Sequence, residues 1–147
     1  MTGFHFRLER VLRWRALELA AEEAKLKHLM LEAAAIESML ARIQEAISGI
    51  PVQIAVLTDL TGSDLSSVSA YAQHLTRERL AAVQRRRDKQ REIAAQAEIH
   101  RAAKQRHQLL EELRRRRLSE WQHETNVQLD YLAHESYLAR WKSRQPT

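Results

Sequence analysis

The sequence predicts an all-α fold, a long two-helix antiparallel coiled-coil hairpin that forms a single elongated domain over residues 1–147. Three observations carry this reading. The 147 residues include only three Gly and two Pro, while Ala, Leu, Glu, Arg and Gln, all strong helix formers, dominate. Apolar residues recur at heptad spacing through the first third of the chain. One short polar segment, Thr61-Gly62-Ser63-Asp64, separates two long stretches that each read as helix. With 5% aromatic and 29% charged residues, few large side chains remain to fill a thick core.

Helix 1 is expected from about residue 5 to 48. Leu12, Leu19, Leu26, Ala33, Leu40, Ile47 and Ile54 stand seven apart, and three positions after each lie Arg15, Glu22, Leu29, Ile36, Ile43, Ile50 and Leu57. From Leu26 onward both series are apolar, the a/d seam of a coiled coil. Before Leu26 the second series is polar, at Arg15 and Glu22, so the first turns read as a surface that meets another protein. Ser48-Gly49-Ile50-Pro51 interrupts the pattern, because Gly weakens a helix and Pro lacks an N–H and disfavours α geometry at the residue before it. The register nevertheless persists at Ile50, Ile54 and Leu57, which allows either a stop or a kink with helix resuming to about residue 60.

The better turn lies at 61–64, where Gly62 suits a helix C′ position and Ser63 or Asp64 suits an N-cap. Helix 2 is then expected over about 65–143. Two helices joined by a short turn pack antiparallel, which sets Leu26 near 96–98 and Phe6 near Leu118. Residues after about 118 overhang, or after about 108 if the chain turns at Gly49–Pro51.

The formal charge of +5 is unevenly placed. Residues 1–50 hold seven basic and seven acidic side chains, whereas residues 77–117 hold fourteen basic and six acidic ones. This central basic band suggests an anionic partner. The absence of Cys excludes disulfides and zinc–thiolate sites and fits a reducing compartment. Charges at Arg7, Glu9, Arg10, Arg13 and Arg15 leave no apolar core for a secretory signal. The most apolar stretch, 47–60, is shorter than the roughly 20 residues that span a bilayer, so a soluble protein is expected.

No catalytic constellation emerges, since there is no Gly-rich phosphate loop and no Cys nucleophile, and a two-helix hairpin has no cleft for paired carboxylates. No enzyme activity, cofactor, metal or small-molecule substrate is therefore expected. His100 and His107 share a helix face but stand about 10 Å apart along it, too far to ligate one ion, and read as polar seam residues. The arginine runs 85–87 and 114–117 point around the helix in all directions and lack interleaved aromatics, so an acidic protein surface is the expected partner ahead of nucleic acid. Trp121, Tyr131, Tyr137 and Trp141 stand beside Leu129, Leu132 and Leu138 in the overhang. Trp121 can pack back on Phe4, Phe6 and Trp14; the others read as interface anchors.

The N-terminal run FHFRLERVLRWR (4–15), followed by Ala24-Lys25-Leu26 after Glu22 and Glu23, resembles the N-terminus of the FliJ family of flagellar protein-export components. Tyr71–Leu75 opening helix 2, the long basic helix and LDYLAHESYLARW (129–141) extend the resemblance over nearly the whole chain. It implies a two-helix coiled coil similar to the central stalk of rotary ATPases. It further implies a non-enzymatic component of the flagellar type III export apparatus, cytoplasmic and peripheral to the membrane at the flagellar base, with a role in flagellum biogenesis and motility. The implied partners are a hexameric export ATPase and a membrane export-gate protein, with export chaperones as further candidates. Carried over by position, the gate patch is Leu40, Ile43, Ile47, Tyr71 and Leu75. The ATPase patch is Phe4, Phe6, Arg10, Trp14, Trp121, Leu132, Leu138 and Trp141. The related virulence-type secretion stalks are a variant of this reading. The alternative from another class is a basic coiled-coil adaptor that binds nucleic acid or an anionic membrane surface.

An elongated monomer is expected from the seam alone. Small-angle scattering of a dilute sample should give a radius of gyration well above the roughly 15 Å of a globule of this length.

Overall fold

A computed structural model describes residues 3–145, and among these the regular elements are two helices, α1 (Glu9–Val56) and α2 (Gly62–Ser143). The helices pack against each other as an antiparallel hairpin. Leu57–Thr61 form the connection.

α1 begins at Glu9, four residues later than expected. Phe4–Phe6 are non-helical, and the Glu9 N–H donates to the Phe6 carbonyl at 3.1 Å as the chain turns into the helix. At its other end α1 continues through Pro51 to Val56. Pro51 cannot donate to the Ile47 carbonyl, yet Ile50 and Ile54 are half-buried in the same series as Ile43 and Ile47. Continued side-chain packing thus outweighs the lost hydrogen bond. The seam ends there, since Leu57 is 56% exposed.

The start of α2 differs from the expected arrangement. Thr61 is the N-cap: its hydroxyl accepts from the Asp64 N–H at 3.3 Å, and the Asp64 carboxylate accepts from the Thr61 N–H at 3.0 Å and the Thr61 hydroxyl at 2.7 Å. This reciprocal pair is a capping box with Asp in place of Glu. Gly62 is the first helical residue and has no positive φ, so it is not the left-handed terminator of α1.

The contacts fall into two units, residues 20–102 and residues 1–19 with 103–147, where the sequence reading treats 1–147 as one domain. In the first unit Ile43, Leu75 and Ala82 are buried. Glu37 pairs with Arg86 and Glu32 with Lys89, and Gln96 donates to Glu22, so falling numbers on α1 meet rising numbers on α2. In the second unit Phe6 and Ala103 are buried, and Glu18 meets Arg106 as Glu9 meets Arg114. On α1 the whole three-four series from Leu8 to Ile54 is half-buried or buried, as the heptad predicts.

Ala82 is 0% exposed, which places a small side chain fully inside the interface between the helices. Ala82→Leu should destabilise by about 1–3 kcal/mol through overpacking, whereas Ala81→Leu on the exposed face should stay within about 0.5 kcal/mol. Chemical denaturation of the two variants checks this.

Candidate functional site

Several polar residues of the seam are satisfied by each other. Glu22 stands at a seam position with its side chain 16% exposed. Gln96 of α2 donates to its carboxylate at 2.5 Å and to its backbone carbonyl at 3.2 Å. Arg15 bonds Glu18 one turn along at 2.9 Å, and Glu18 in turn meets Arg106 at 3.3 Å. Arg15 and Glu22 were expected to break the seam and await a partner protein. The structure corrects this: both are polar layers within the hairpin, partnered inside it.

The electrostatics follow from these contacts. The Gln96 amide, then Lys25, holds the Glu22 carboxyl below the ordinary carboxylate value. Lys89, 2.5 Å from Glu32 and 3.1 Å from Glu92, lowers the Glu32 carboxyl and is itself raised, chiefly by Glu32 and then by Glu92. The Thr61 hydroxyl and N–H lower Asp64 in the capping box.

α2 contributes Arg86, Lys89, Gln96, His100, His107 and Arg114 to its half-buried series. His107 Nε2 lies 3.7 Å from the Glu111 carboxylate. Among the described residues there is no group of three or more His, Asp or Glu placed to hold a metal ion.

The residues carried over for an export gate lie in the first unit. Ile43 and Leu75 are 7% and 6% exposed and belong to the seam itself. Leu40 and Ile47 are half-buried, and Tyr71 is 49% exposed. Of the five only Tyr71 is exposed, with about half of its surface in solvent.

The residues carried over for an ATPase lie in the second unit and fall into three groups. Phe4, Phe6 and Trp121 meet: the Phe4 and Trp121 ring centroids are 6.0 Å apart, tilted by 54°, and Phe6 is buried. The Arg114 guanidinium sits 5.8 Å from the Phe4 ring centroid and completes a cation–π contact. Arg10 and Trp14 are exposed on α1, with the Arg15 guanidinium 4.8 Å from the Trp14 ring. Leu132, Leu138 and Trp141 stand on α2 at 59%, 49% and 53% exposure.

The overhang begins later than expected. Trp121 and Thr125 are still half-buried, and every residue from Asn126 to Gln145 is exposed, so the uncovered part of α2 starts after Thr125 rather than 118. Non-helical backbone accounts for the difference. A non-helical residue can advance up to about 3.3 Å against 1.5 Å in a helix, so the same few residues reach further along α2. What remains is a solvated helix that carries Val127, Leu129, Tyr131, Leu132, Tyr137, Leu138 and Trp141, each more than 40% exposed. No helix among the described residues is long and apolar enough to cross a membrane.

No family model, no curated protein and no solved structure matches this chain.

The seam pairs make stability depend on pH in a defined direction. Carboxyls lowered in the folded state contribute stability that is present above their ordinary value of 4.5 and is lost as pH falls through the folded values. Lys89, raised, contributes below 10.5 and loses its contribution as pH rises through its folded value. The thermal midpoint should therefore be level between roughly pH 5 and 10 and fall on either side. Glu32→Gln should flatten both limbs, which thermal melts monitored by circular dichroism across that range would reveal.

Proposed function

We propose that this chain is a non-enzymatic component of a type III protein-export apparatus of the flagellar kind, in which it couples an export ATPase ring to the membrane export gate. The observation that carries the reading is the uncovered end of α2. Residues 126–143 hold two Tyr, one Trp and several aliphatic side chains in solvent, and a helix with such a surface is an anchor for another protein. The N-terminal signature FHFRLERVLRWR adds the resemblance to the FliJ family, and the antiparallel hairpin has the architecture that the resemblance implies. In this reading the α2 end and the Phe4–Trp121 contact serve the ATPase, and the region of Leu40 and Tyr71 serves the gate. Tyr71 makes the direct contact there, and Ile43 and Leu75, buried in the seam, serve the hairpin itself. The protein acts at the cytoplasmic face of the membrane.

The charge distribution also favours a protein partner over nucleic acid. Of the fourteen basic residues between Arg77 and Arg117, seven already pair with Glu: Arg86, Lys89, Arg101, Arg106, Arg114, Arg116 and Arg117. Their charge is spent within the hairpin. The remaining seven are scattered around α2 and offer no continuous track for a phosphate backbone.

Truncation after Asn126 removes the exposed end and leaves every half-buried residue in place. The truncated chain should keep its helical signal and its thermal midpoint. It should lose binding to the export ATPase by at least tenfold in a pull-down or titration and retain binding to the gate protein. Full ATPase binding by the truncated chain would show that the α2 end is not the anchor. Tight, salt-sensitive duplex binding without any ATPase binding would favour the adaptor reading.

A further inference from the structure

Beyond Thr125 the apolar stripe of α2 moves to a different face. Next to the N-terminal residues, α2 presents half-buried Leu110, Arg114, Leu118, Trp121 and Thr125 at three-four spacing. Continued, that series reads Gln128, Leu132, Glu135, Ala139 and Lys142, mostly polar or small. Most of the large side chains fall one position earlier, at Val127, Tyr131, Leu138 and Trp141 with His134 among them, while Leu129 and Tyr137 lie off this line. Four of these are 53%, 64%, 49% and 53% exposed in the order Val127, Tyr131, Leu138, Trp141. One residue on a helix is about 100° of rotation, so the stripe looks away from the side that the N-terminal segment covers. Its partner approaches from another direction.

The charges indicate which partner. Within residues 126–144 the two acids, Asp130 and Glu135, come first with no Lys or Arg beside them, and then Arg140, Lys142 and Arg144 follow. An acidic half precedes a basic half, so the segment is complementary to itself when reversed. We infer that the exposed end of α2, residues 126–144, pairs antiparallel with the same segment of a second copy of this chain. In that pairing Tyr131 packs against Trp141 of the second copy and His134 against Leu138, with Asp130 beside Arg144, each contact occurring twice about the two-fold axis. A groove between Val127, Gln128, Tyr131 and Leu132 receives the opposing knobs. Glu135 meets its own counterpart near the axis, the one like-charge contact of the register. The contact runs about 27 Å along an 18-residue helix, at the small end of specific interfaces, so the dimer forms and dissociates with concentration. This departs from the monomer that the heptad alone predicts. It does not depend on the export reading; an ATPase that takes the same stripe displaces the second copy.

The test uses the full chain in sedimentation velocity over a wide concentration range. The wild type should pass from monomer to dimer, and Leu138→Asp should remain monomeric at every concentration with its helical signal intact. Arg144→Glu should weaken dimerisation roughly three- to tenfold for two exposed ion pairs, and adding Asp130→Arg should restore it. Glu135→Gln should tighten it. Because the chain contains no Cys, orientation is read by mixing Asp130→Cys with Arg144→Cys under a short bismaleimide: antiparallel pairing gives the mixed crosslink in preference to the same-residue ones. A wild type that stays monomeric up to about 1 mM, a Leu138→Asp variant that associates as the wild type does, or preferential same-residue crosslinks would each overturn the inference.

Discussion

A two-helix hairpin offers each helix a single partner face, and among the described residues only five side chains are buried: Phe6, Ile43, Leu75, Ala82 and Ala103. So thin an apolar seam favours pairing without choosing a register strongly, because Leu, Ile and Ala tolerate a one-heptad slip. The cross-helix polar pairs supply the choice. Consider residues 20–102. Slipping α2 by seven residues would set Glu32 against Ala82 instead of Lys89 and leave its carboxylate without a cation, and Gln96 would lose Glu22. A half-buried Lys–Glu pair is weak evidence of net stabilisation, since desolvation offsets much of its attraction. Its penalty when mispaired is larger, and that difference makes one alignment preferred over its neighbours.

The same thinness throws weight onto the helices themselves. Pairs three or four residues apart run along both: Glu22 with Lys25, Glu23 with Lys27, Glu112 with Arg116 and Glu120 with Arg117. Each is worth a few tenths of a kcal/mol at most. Together with Ala-rich, Gly-poor composition they let α2 run for 82 residues over stretches that have little to pack against.

The sequence made α1 legible because its a and d positions are apolar from Leu26 onward, and all of them are half-buried or buried through Ile54. It made the seam of α2 nearly illegible. Arg86, Lys89, Gln96, His100, His107 and Arg114 occupy its inward positions, and an apolar pattern cannot flag residues that are inward because of their partners. Arg15 and Glu22 are illegible for the same reason: read alone, a charged seam position signals an absent partner, whereas Glu18 and Gln96 are the partners here. At the turn, Gly62 drew the reading toward a left-handed terminator while Thr61 and Asp64 held the capping box. Among candidate site residues, the exposed aromatics of the α2 end were visible as such, because Trp and Tyr without a facing helix have nowhere to pack. Ile43 and Leu75 were not separable from seam residues by type, and the structure places them there.

The helix dipole explains part of the charge pattern at the end of α2. Arg140 and Lys142 stand in the last turn, where basic side chains complement the helix dipole and bond the final carbonyls. That accounts for the basic half alone. The dipole acts only within the first and last turns, and Glu124, Asp130 and Glu135 lie mid-helix, far from the α2 N-terminus at Gly62. Nor do they follow the pairing habit of the rest of the chain, in which Glu residues regularly have a Lys or Arg three or four positions away. Asp130 has none at either spacing, although Asn126, Val127, Ala133 and His134 occupy those places. An isolated 18-residue helix is marginal in water, and placing acids in its middle without local bases forgoes the cheapest means of stabilising it. A segment arranged in this way, with its large apolar side chains turned away from α1, gains its stability from a partner that brings the missing bases.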